Sequence, residues 1–600
     1  MATSIDELFD IPVIYGTGID LSRDGKTLLY CSNASGIAHL HVTLTKCGAK
    51  SEQITNGNDP IRFGVLSPSG KQVLYLQDKD GNELHHLFVT SNEGTETRQL
   101  TKTPCRTWDA CWNPSGMEIA RTFSTKKSCG IEIFNVKTGE NSILKEQKVP
   151  LFNAVYSPDG KWIACTEYGG GKDPKNMQVT VLRKNDPKDV INYKFKDGSK
   201  ESIPSWSPNG KKLAFFSNVK EKNHVVVQSF KGTERLFLPL KEGEEADDVQ
   251  SPCWNGKSDA VYYTISKHSR TYVCKHPLGK EKTALPFPPG TILFFKANGD
   301  GKIIVALHSS LSSPHCIYIH HLGSKRVEPL TSYNYKGNLA KLVKPKSRWY
   351  RSSDGLKIHT WYLPAGSGRI PRPAVVWPHG GPTYQTYDTW DPFLQSISQS
   401  GFAVLTPNFR GSTGYGTEFR NMNLSDLGGG DLEDVVAGAK WLARQREIDK
   451  SKIAIFGASY GGYMALIALT KKPEIFAAGV GFVPITDWSE AYELGDATFK
   501  KFIEELFGGP PEKESALYHD RSPISFVSNI KAPVLIEAGR NDSRCPIEPI
   551  EKFVKKLEKM KHSYEFIVEE KEGHGSGRVE SLKKDARLGI NYLKKTMKIK

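Results

Sequence analysis

The stretch Gly457-Ala458-Ser459-Tyr460-Gly461-Gly462 sets a serine between glycines in the G-x-S-x-G pattern. An apolar run, 453–456 (IAIF), leads into it, and a helix-forming run, 463–469 (YMALIAL), leads out. Strand, sharp turn and helix in that order make a nucleophile elbow, where small neighbours let the backbone turn tightly enough to expose the hydroxyl. A serine attacks a carbonyl only when a base takes its proton and an acid orients that base. With this elbow the chain order is serine, then Asp or Glu, then His. Downstream, Asp542 lies in a loop after the apolar run 534–536, and His574 lies between Gly573 and Gly575 after the run 564–568. His519 and His562 lack such a setting, and Asp487 and Asp520 have the look of turn or cap residues. Ser459, Asp542 and His574 are therefore the expected nucleophile, orienting acid and base.

The tetrahedral oxyanion needs backbone N–H donors aimed at the developing charge. One is the amide of Tyr460, next after the nucleophile. The other is expected from the glycine-rich loop His379-Gly380-Gly381-Pro382, which follows the apolar run 375–377, with Gly381 as donor. His379 is expected to make a structural hydrogen bond there and not to act as base.

These residues need a scaffold. From about residue 350 short apolar strands (373–377, 402–406, 453–456, 532–536) alternate with helical stretches. One of these, 431–443 (DLEDVVAGAKWLA), carries acids in its first turn, where the helix dipole favours them. Strands buried on both faces and separated by helices form a mostly parallel sheet. The first half follows another pattern. A Ser/Asn-Pro-Asp/Ser/Asn-Gly-Lys phrase recurs, and its glycines, Gly25, Gly70, Gly116, Gly160, Gly210, Gly256 and Gly301, are spaced by 45, 46, 44, 50, 46 and 45 residues. An aromatic or apolar residue usually precedes each anchor (Trp112, Tyr156, Trp206, Trp254) and a β-rich run follows it. Such phrases close hairpins, and about 45 residues hold the four strands of one propeller blade. Seven blades closed into a ring also leave no exposed sheet edge. The expected fold is a seven-bladed β-propeller followed by an α/β-hydrolase domain. Its bounds are a 1–18 extension, in which 3–9 form a short helix capped by Ser4 or Asp6, a propeller over 19–340 and a catalytic domain over 341–600.

Composition narrows the function classes. With 38% apolar and 24% charged residues the chain is globular, and no apolar run is long enough to cross a membrane. The opening MATSIDELFD has acids where an export signal needs basic and then apolar residues, so a cytoplasmic protein with reduced thiols is expected. The net charge of +15 is spread thinly outside the last fifty residues and has no arginine arm or zinc-finger spacing, so no nucleic-acid partner is expected. The ten cysteines show no metal spacing. The acidic run 242–245 reads as a solvated loop.

Together, HGGP at 379–382, PNFRGSTGYG at 407–416, GGGDLEDVVAG at 428–438, GASYGGY at 457–463, NDSRCP at 541–546 and EGHG at 572–575 resemble the prolyl oligopeptidase family of serine peptidases, particularly its acylaminoacyl-peptidase branch. The resemblance implies an active site between propeller and hydrolase, with no metal or cofactor. It implies that Arg544 holds a substrate carbonyl, and that Trp488, Phe499, Phe502 and Ile503 line an apolar S1 pocket. Helical spacing fits Phe499, Phe502, Ile503 and Leu506 equally well as core. It also implies that the residues before the first blade pack on the hydrolase domain, and that copies can assemble into a homo-oligomer. Ala538 stands where many relatives have a histidine, at a position that does no chemistry. The expected activity is hydrolysis of short peptides through an acyl-enzyme, releasing an acylated amino acid or a dipeptide from the amino terminus. The alternatives are an esterase or acyl-amide hydrolase of small molecules with the same triad, a dipeptidyl- or oligopeptidase specificity, and a propeller scaffold beside a dead hydrolase.

Overall fold

The computed structural model describes residues 3–168, 176–331, 341–366, 368 and 370–599. Seven antiparallel sheets lie between Ile14 and Pro329, six of four strands and one of five. The repeated glycine has the same role in six of them. At Gly25, Gly70, Gly116, Gly160, Gly210 and Gly301 the backbone takes φ between +70° and +74°, which side chains disfavour. Blade six corrects the expected anchor. There the left-handed residue is Ser258 (φ +61°), two positions after Gly256, and its N–H closes the turn on the Asn255 carbonyl at 3.0 Å. Gly256 serves packing instead, since a Cβ there would meet the Asp300 Cα at 2.9 Å.

Two of the aromatic residues before the anchors hydrogen-bond from blade to blade. Trp112 donates to the Val65 carbonyl of the preceding blade, and Trp254 likewise to Ser205, each at 3.1 Å. Among the described residues blades one and seven share no strand; the ring closes by packing Ile14, Leu21 and Tyr30 against Val305, Leu307 and Ile319.

The amino-terminal segment forms helix α1 (Ile5–Phe9), capped by Ser4 in a reciprocal bond with Glu7. It packs on the hydrolase domain, with Phe9 edge-on to Phe393 at 5.1 Å and Asp6 paired with Arg587. The first blade strand begins at Ile14, where Ile14 pairs with Ser32, so the extension is shorter than 1–18. Residues 332–340, which include the expected boundary at 340, lie outside the described residues.

The hydrolase sheet has eight strands: β1 (Lys346–Arg351), β2 (Lys357–Leu363), β3 (Arg372–Val376), β4 (Ala403–Asn408), β5 (Ile448–Ala458), β6 (Gly479–Phe482), β7 (Val534–Gly539) and β8 (Tyr564–Glu569). They lie in the order β1-β2-β4-β3-β5-β6-β7-β8, antiparallel up to the β2–β4 pair and parallel from β4 onward. Helices α2 (Pro392–Gln399), α3 (Gly430–Ala443), α4 (Tyr460–Lys471), α5 (Trp488–Leu494), α6 (Ala497–Phe507) and α7 (Val579–Thr596) cover it. Side chains on the two sheet faces build two apolar clusters, one holding Val376, Ile455 and Ile536, the other Val375, Phe456 and Leu535. Parallel strands leave their carboxyl ends open for a site at one edge of this layer.

Candidate active site

Ser459 follows the last residue of β5 and precedes the first residue of α4, with φ +58° and ψ −123°. A non-glycine residue in that region is strained, and the neighbouring glycines make the turn possible. A Cβ on Gly457 would lie 2.4 Å from the Gly461 carbonyl, and one on Gly461 would lie 2.3 Å from the Pro378 oxygen. The motif is thus a steric requirement of strand, helix and loop meeting at one point.

Asp542 follows β7 and is buried. Its Oδ1 accepts the N–H groups of Arg544 and Cys545, both at 2.8 Å, and its Oδ2 faces His574 Nδ1 at 2.8 Å. The other ring nitrogen, Nε2, lies 2.9 Å from Ser459 Oγ. Three residues from three loops thus form an unbroken chain of hydrogen bonds, with one carboxylate oxygen spent on holding the acid in place. His519 and His562 are outside that chain; His562 Nε2 meets the Ala532 carbonyl at 3.0 Å. Asp487 caps α5, as expected of a cap residue.

The HGGP loop passes over the serine. A Cβ on Gly380 would lie 3.7 Å from the Ser459 Cβ, and Gly381 takes φ +129°. The Tyr460 amide is the first N–H of α4, which no intrahelical carbonyl reaches. The Tyr460 amide thus adjoins the nucleophile, and the loop that carries Gly381 approaches it at Gly380. His379 is buried and held at both nitrogens, by the Gly380 carbonyl at 2.7 Å and Ser412 Oγ at 2.8 Å, with Phe409 stacked on it at 4.2 Å. Burial pushes its imidazole down to about 4 against the pull of the Gly380 carbonyl, which suits a neutral structural group.

The propeller supplies the rest of the site. A loop of blade two, residues 78–84, rests on the histidine loop so closely that a Cβ on Gly573 would lie 1.8 Å from the Gly81 oxygen. Asn541 Nδ2 donates to the Asp80 carbonyl at 3.0 Å. From this loop Glu83 meets Arg544 Nε at 2.8 Å, Arg106 at 2.7 Å and Ser543 Oγ at 2.6 Å. Burial alone would raise the Glu83 carboxyl, but Arg544 and Arg106 outweigh it and hold the group down to about 2. Arg106 also approaches Asp496 at 3.5 Å. A cavity of about 390 Å³ opens here, with Glu83, Leu84 and Arg106 on the propeller side and Leu494, Asp496 and Asp542 on the other.

The four expected pocket residues divide. Trp488 and Ile503 are wholly buried, and Trp488 packs between Tyr463 at 5.3 Å and Phe507 at 5.4 Å. Phe499 and Phe502, ring centres 6.2 Å apart, lie at the rim of that core and keep exposed surface. Helix α6, which carries them, docks on the propeller. Ala497 N–H donates to Thr125 O at 3.0 Å, and buried Glu505 takes both Tyr168 and Lys200.

Sequence reasoning missed Glu83, Arg106 and Asp431. Asp431 Oδ2 accepts the Tyr460 hydroxyl at 2.5 Å behind the elbow, and the motif that contains it, 428–438, was the available signal. For Glu83 the only signal was the turn-rich run 78–82 (DKDGN) before it. All ten cysteines are free thiols, and no helix among the described residues is long and apolar enough to cross a membrane.

An α/β-hydrolase sheet whose elbow serine faces a histidine and a buried aspartate, beneath a seven-bladed propeller, defines a propeller-capped serine hydrolase. Residues 389–600 match the model of the prolyl oligopeptidase family and residues 17–258 that of the TolB beta propeller domain, so the chain carries a peptidase domain of the prolyl oligopeptidase family. It is 24% identical over 604 residues to dipeptidyl aminopeptidase BIII of Pseudoxanthomonas mexicana, covering 96% of this chain and 86% of that one. The acylamino-acid-releasing enzyme of Homo sapiens is 24% identical over 384 residues, 59% of this chain and 49% of that one. The solved structure of a puromycin-hydrolyzing peptidase from Mycobacterium tuberculosis superposes with a TM-score of 0.84 at 19% identity, over 99% of this chain and 96% of that one.

Proposed function

We propose that the chain is a serine peptidase that acts on short peptides and releases an acylated amino acid or a dipeptide from the amino terminus. The observation that carries this reading is the chain Ser459–His574–Asp542, with spacings of 2.9 and 2.8 Å and a fully anchored acid. Ser459 Oγ attacks the scissile carbonyl while His574 Nε2 takes its proton. Asp542 holds Nδ1–H and stabilises the imidazolium. The amides of Tyr460 and Gly381 receive the oxyanion. His574 then protonates the leaving amine, and water releases the acyl group by the same steps in reverse. Phe499 and Phe502 offer the apolar wall of S1, and the propeller restricts entry to short or unfolded chains.

One observation favours a free amino terminus over a blocked one. Glu83 is a carboxylate beside Arg544, and a substrate ammonium can compete with that guanidinium for it while the freed arginine takes a peptide carbonyl. Similarity to a dipeptidyl aminopeptidase over nearly the whole chain supports the same choice, and peptidase-named relatives disfavour the small-molecule esterase reading. Ser459→Ala is expected to lower hydrolysis of dipeptide and N-acetyl-amino-acid p-nitroanilides by at least about 10³-fold. It should also abolish labelling by a fluorophosphonate probe. Retention of wild-type rates in that variant refutes the reading.

A further inference from the structure

Cys545 lies three residues after Asp542, in a turn whose N–H groups cap the aspartate, and this turn folds the thiol back into the reactive centre. It is only 3% exposed. Its sulfur, a carboxylate oxygen of Asp542 and a ring nitrogen of His574 all lie within 4.8 Å of one another, and the Ser459 hydroxyl lies against the sulfur. Burial pushes the thiol well above its ordinary value, so in the free enzyme it stays protonated and leaves the nucleophilic role to the serine. Peptide hydrolysis by the triad has no use for this group.

A soft divalent cation does. Thiolate and imidazole are the ligands zinc prefers, with bonds of about 2.3 and 2.0 Å. Two such bonds at a tetrahedral angle span about 3.5 Å, so a small inward movement of sulfur and ring closes the pair on one ion. His574 Nδ1 is held by Asp542, which leaves Nε2, on the Ser459 side, as the ring ligand. We propose that Cys545 and His574, with Asp542 orienting the ring through Nδ1, form an inhibitory site for a soft divalent cation such as zinc. The ion displaces the thiol proton to solvent and occupies the imidazole lone pair that Ser459 needs as its base. The catalytic part of this statement rests on the peptidase reading; the binding part does not.

The test has two readouts on the full chain. In the first, zinc chloride inhibits anilide hydrolysis by the wild type, a chelator restores it, and Cys545→Val and Cys545→Ala raise the half-inhibitory concentration at least about 10-fold. Each variant is scored against its own metal-free rate. In the second, cadmium is titrated into Ser459→Ala, with Cys47→Ser added to remove the one exposed thiol. A thiolate-to-cadmium absorption band is expected, and it should be lost when Cys545→Val is added. A band in this variant, with no anilide hydrolysed by the wild type, supports the site and overturns only the peptidase reading. Equal inhibition of wild type and both cysteine variants, or a band unchanged without Cys545, overturns the proposal.

Discussion

Asp431→Asn tests how the elbow is braced. Asp431 is fully buried, with Oδ1 taking the Leu432 N–H at 2.8 Å and Oδ2 the Tyr460 hydroxyl at 2.5 Å. Burial lifts its carboxyl from 3.8 to about 7; the Tyr460 hydrogen bond opposes the rise and the nearby Asp434 charge adds to it. The folded value lies above the unfolded one, so between about pH 4 and pH 7 the native state keeps a proton that the unfolded chain has lost. Stability from this group is therefore full below pH 4 and falls as pH rises to 7, by about 1.4 kcal/mol per unit. Between pH 5 and pH 8 the wild type should lose roughly 3 kcal/mol that a non-titrating asparagine does not lose. The asparagine still accepts from Tyr460 but sets an amide against the Leu432 N–H, a pH-independent cost of about 1–3 kcal/mol. Asp431→Asn is thus expected to be the less stable protein at pH 5 and to match or exceed the wild type at pH 8. Urea unfolding of both proteins at pH 5, 6, 7 and 8, followed by tryptophan fluorescence, measures the difference. A stability gap that stays constant within about 0.5 kcal/mol across that range refutes the reasoning. With the Tyr460 amide as the proposed oxyanion donor, the same variant should lower kcat about 10-fold with KM little changed.

Two further perturbations probe the domain interface. Glu83→Gln removes the carboxylate between Arg106 and Arg544, and a charged hydrogen bond of about 1.5–3 kcal/mol corresponds to a 10- to 150-fold fall in kcat/KM. That fall should appear for free-amine dipeptide anilides and not for N-acetyl anilides; equal losses on both remove Glu83 from amine recognition. Lys200→Met leaves buried Glu505 with Tyr168 as its remaining partner among the described residues and should destabilise the docked α6 by about 3 kcal/mol. A lowered thermal midpoint and faster proteolysis between the domains are expected, and an unchanged midpoint contradicts the tie.

The parts of this protein legible in its sequence are those dictated by short-range sterics. A tight hairpin needs one residue at positive φ, so six of the seven blades carry a glycine there and the period emerges. In blade six that need is met by Ser258, and a glycine-based alignment slips by two residues because Gly256 is kept for a different contact. The elbow was legible for the same reason, since Gly457 and Gly461 have no room for a Cβ. Helix periodicity, by contrast, marks an apolar face without saying what it faces. The expected pocket residues therefore divided into the buried Trp488 and Ile503 and the half-exposed Phe499 and Phe502 only once α6 was seen against its neighbours.

What stayed hidden was long-range pairing of charge. Glu83 and Arg544 are 461 residues apart, and neither has a local signature as a partner of the other. Their contact exists because two separately folded layers meet with the blade-two loop pressed on the histidine loop, glycine against glycine at Gly81 and Gly573. That close approach links the two domains at the chemistry itself. Any motion that separates propeller from hydrolase must part Gly81 from Gly573 and Glu83 from Arg544, and so must release both the loop that carries His574 and the arginine expected to hold substrate. An opening of this interface would therefore loosen the base and free Arg544 at once, and its closure would restore both together.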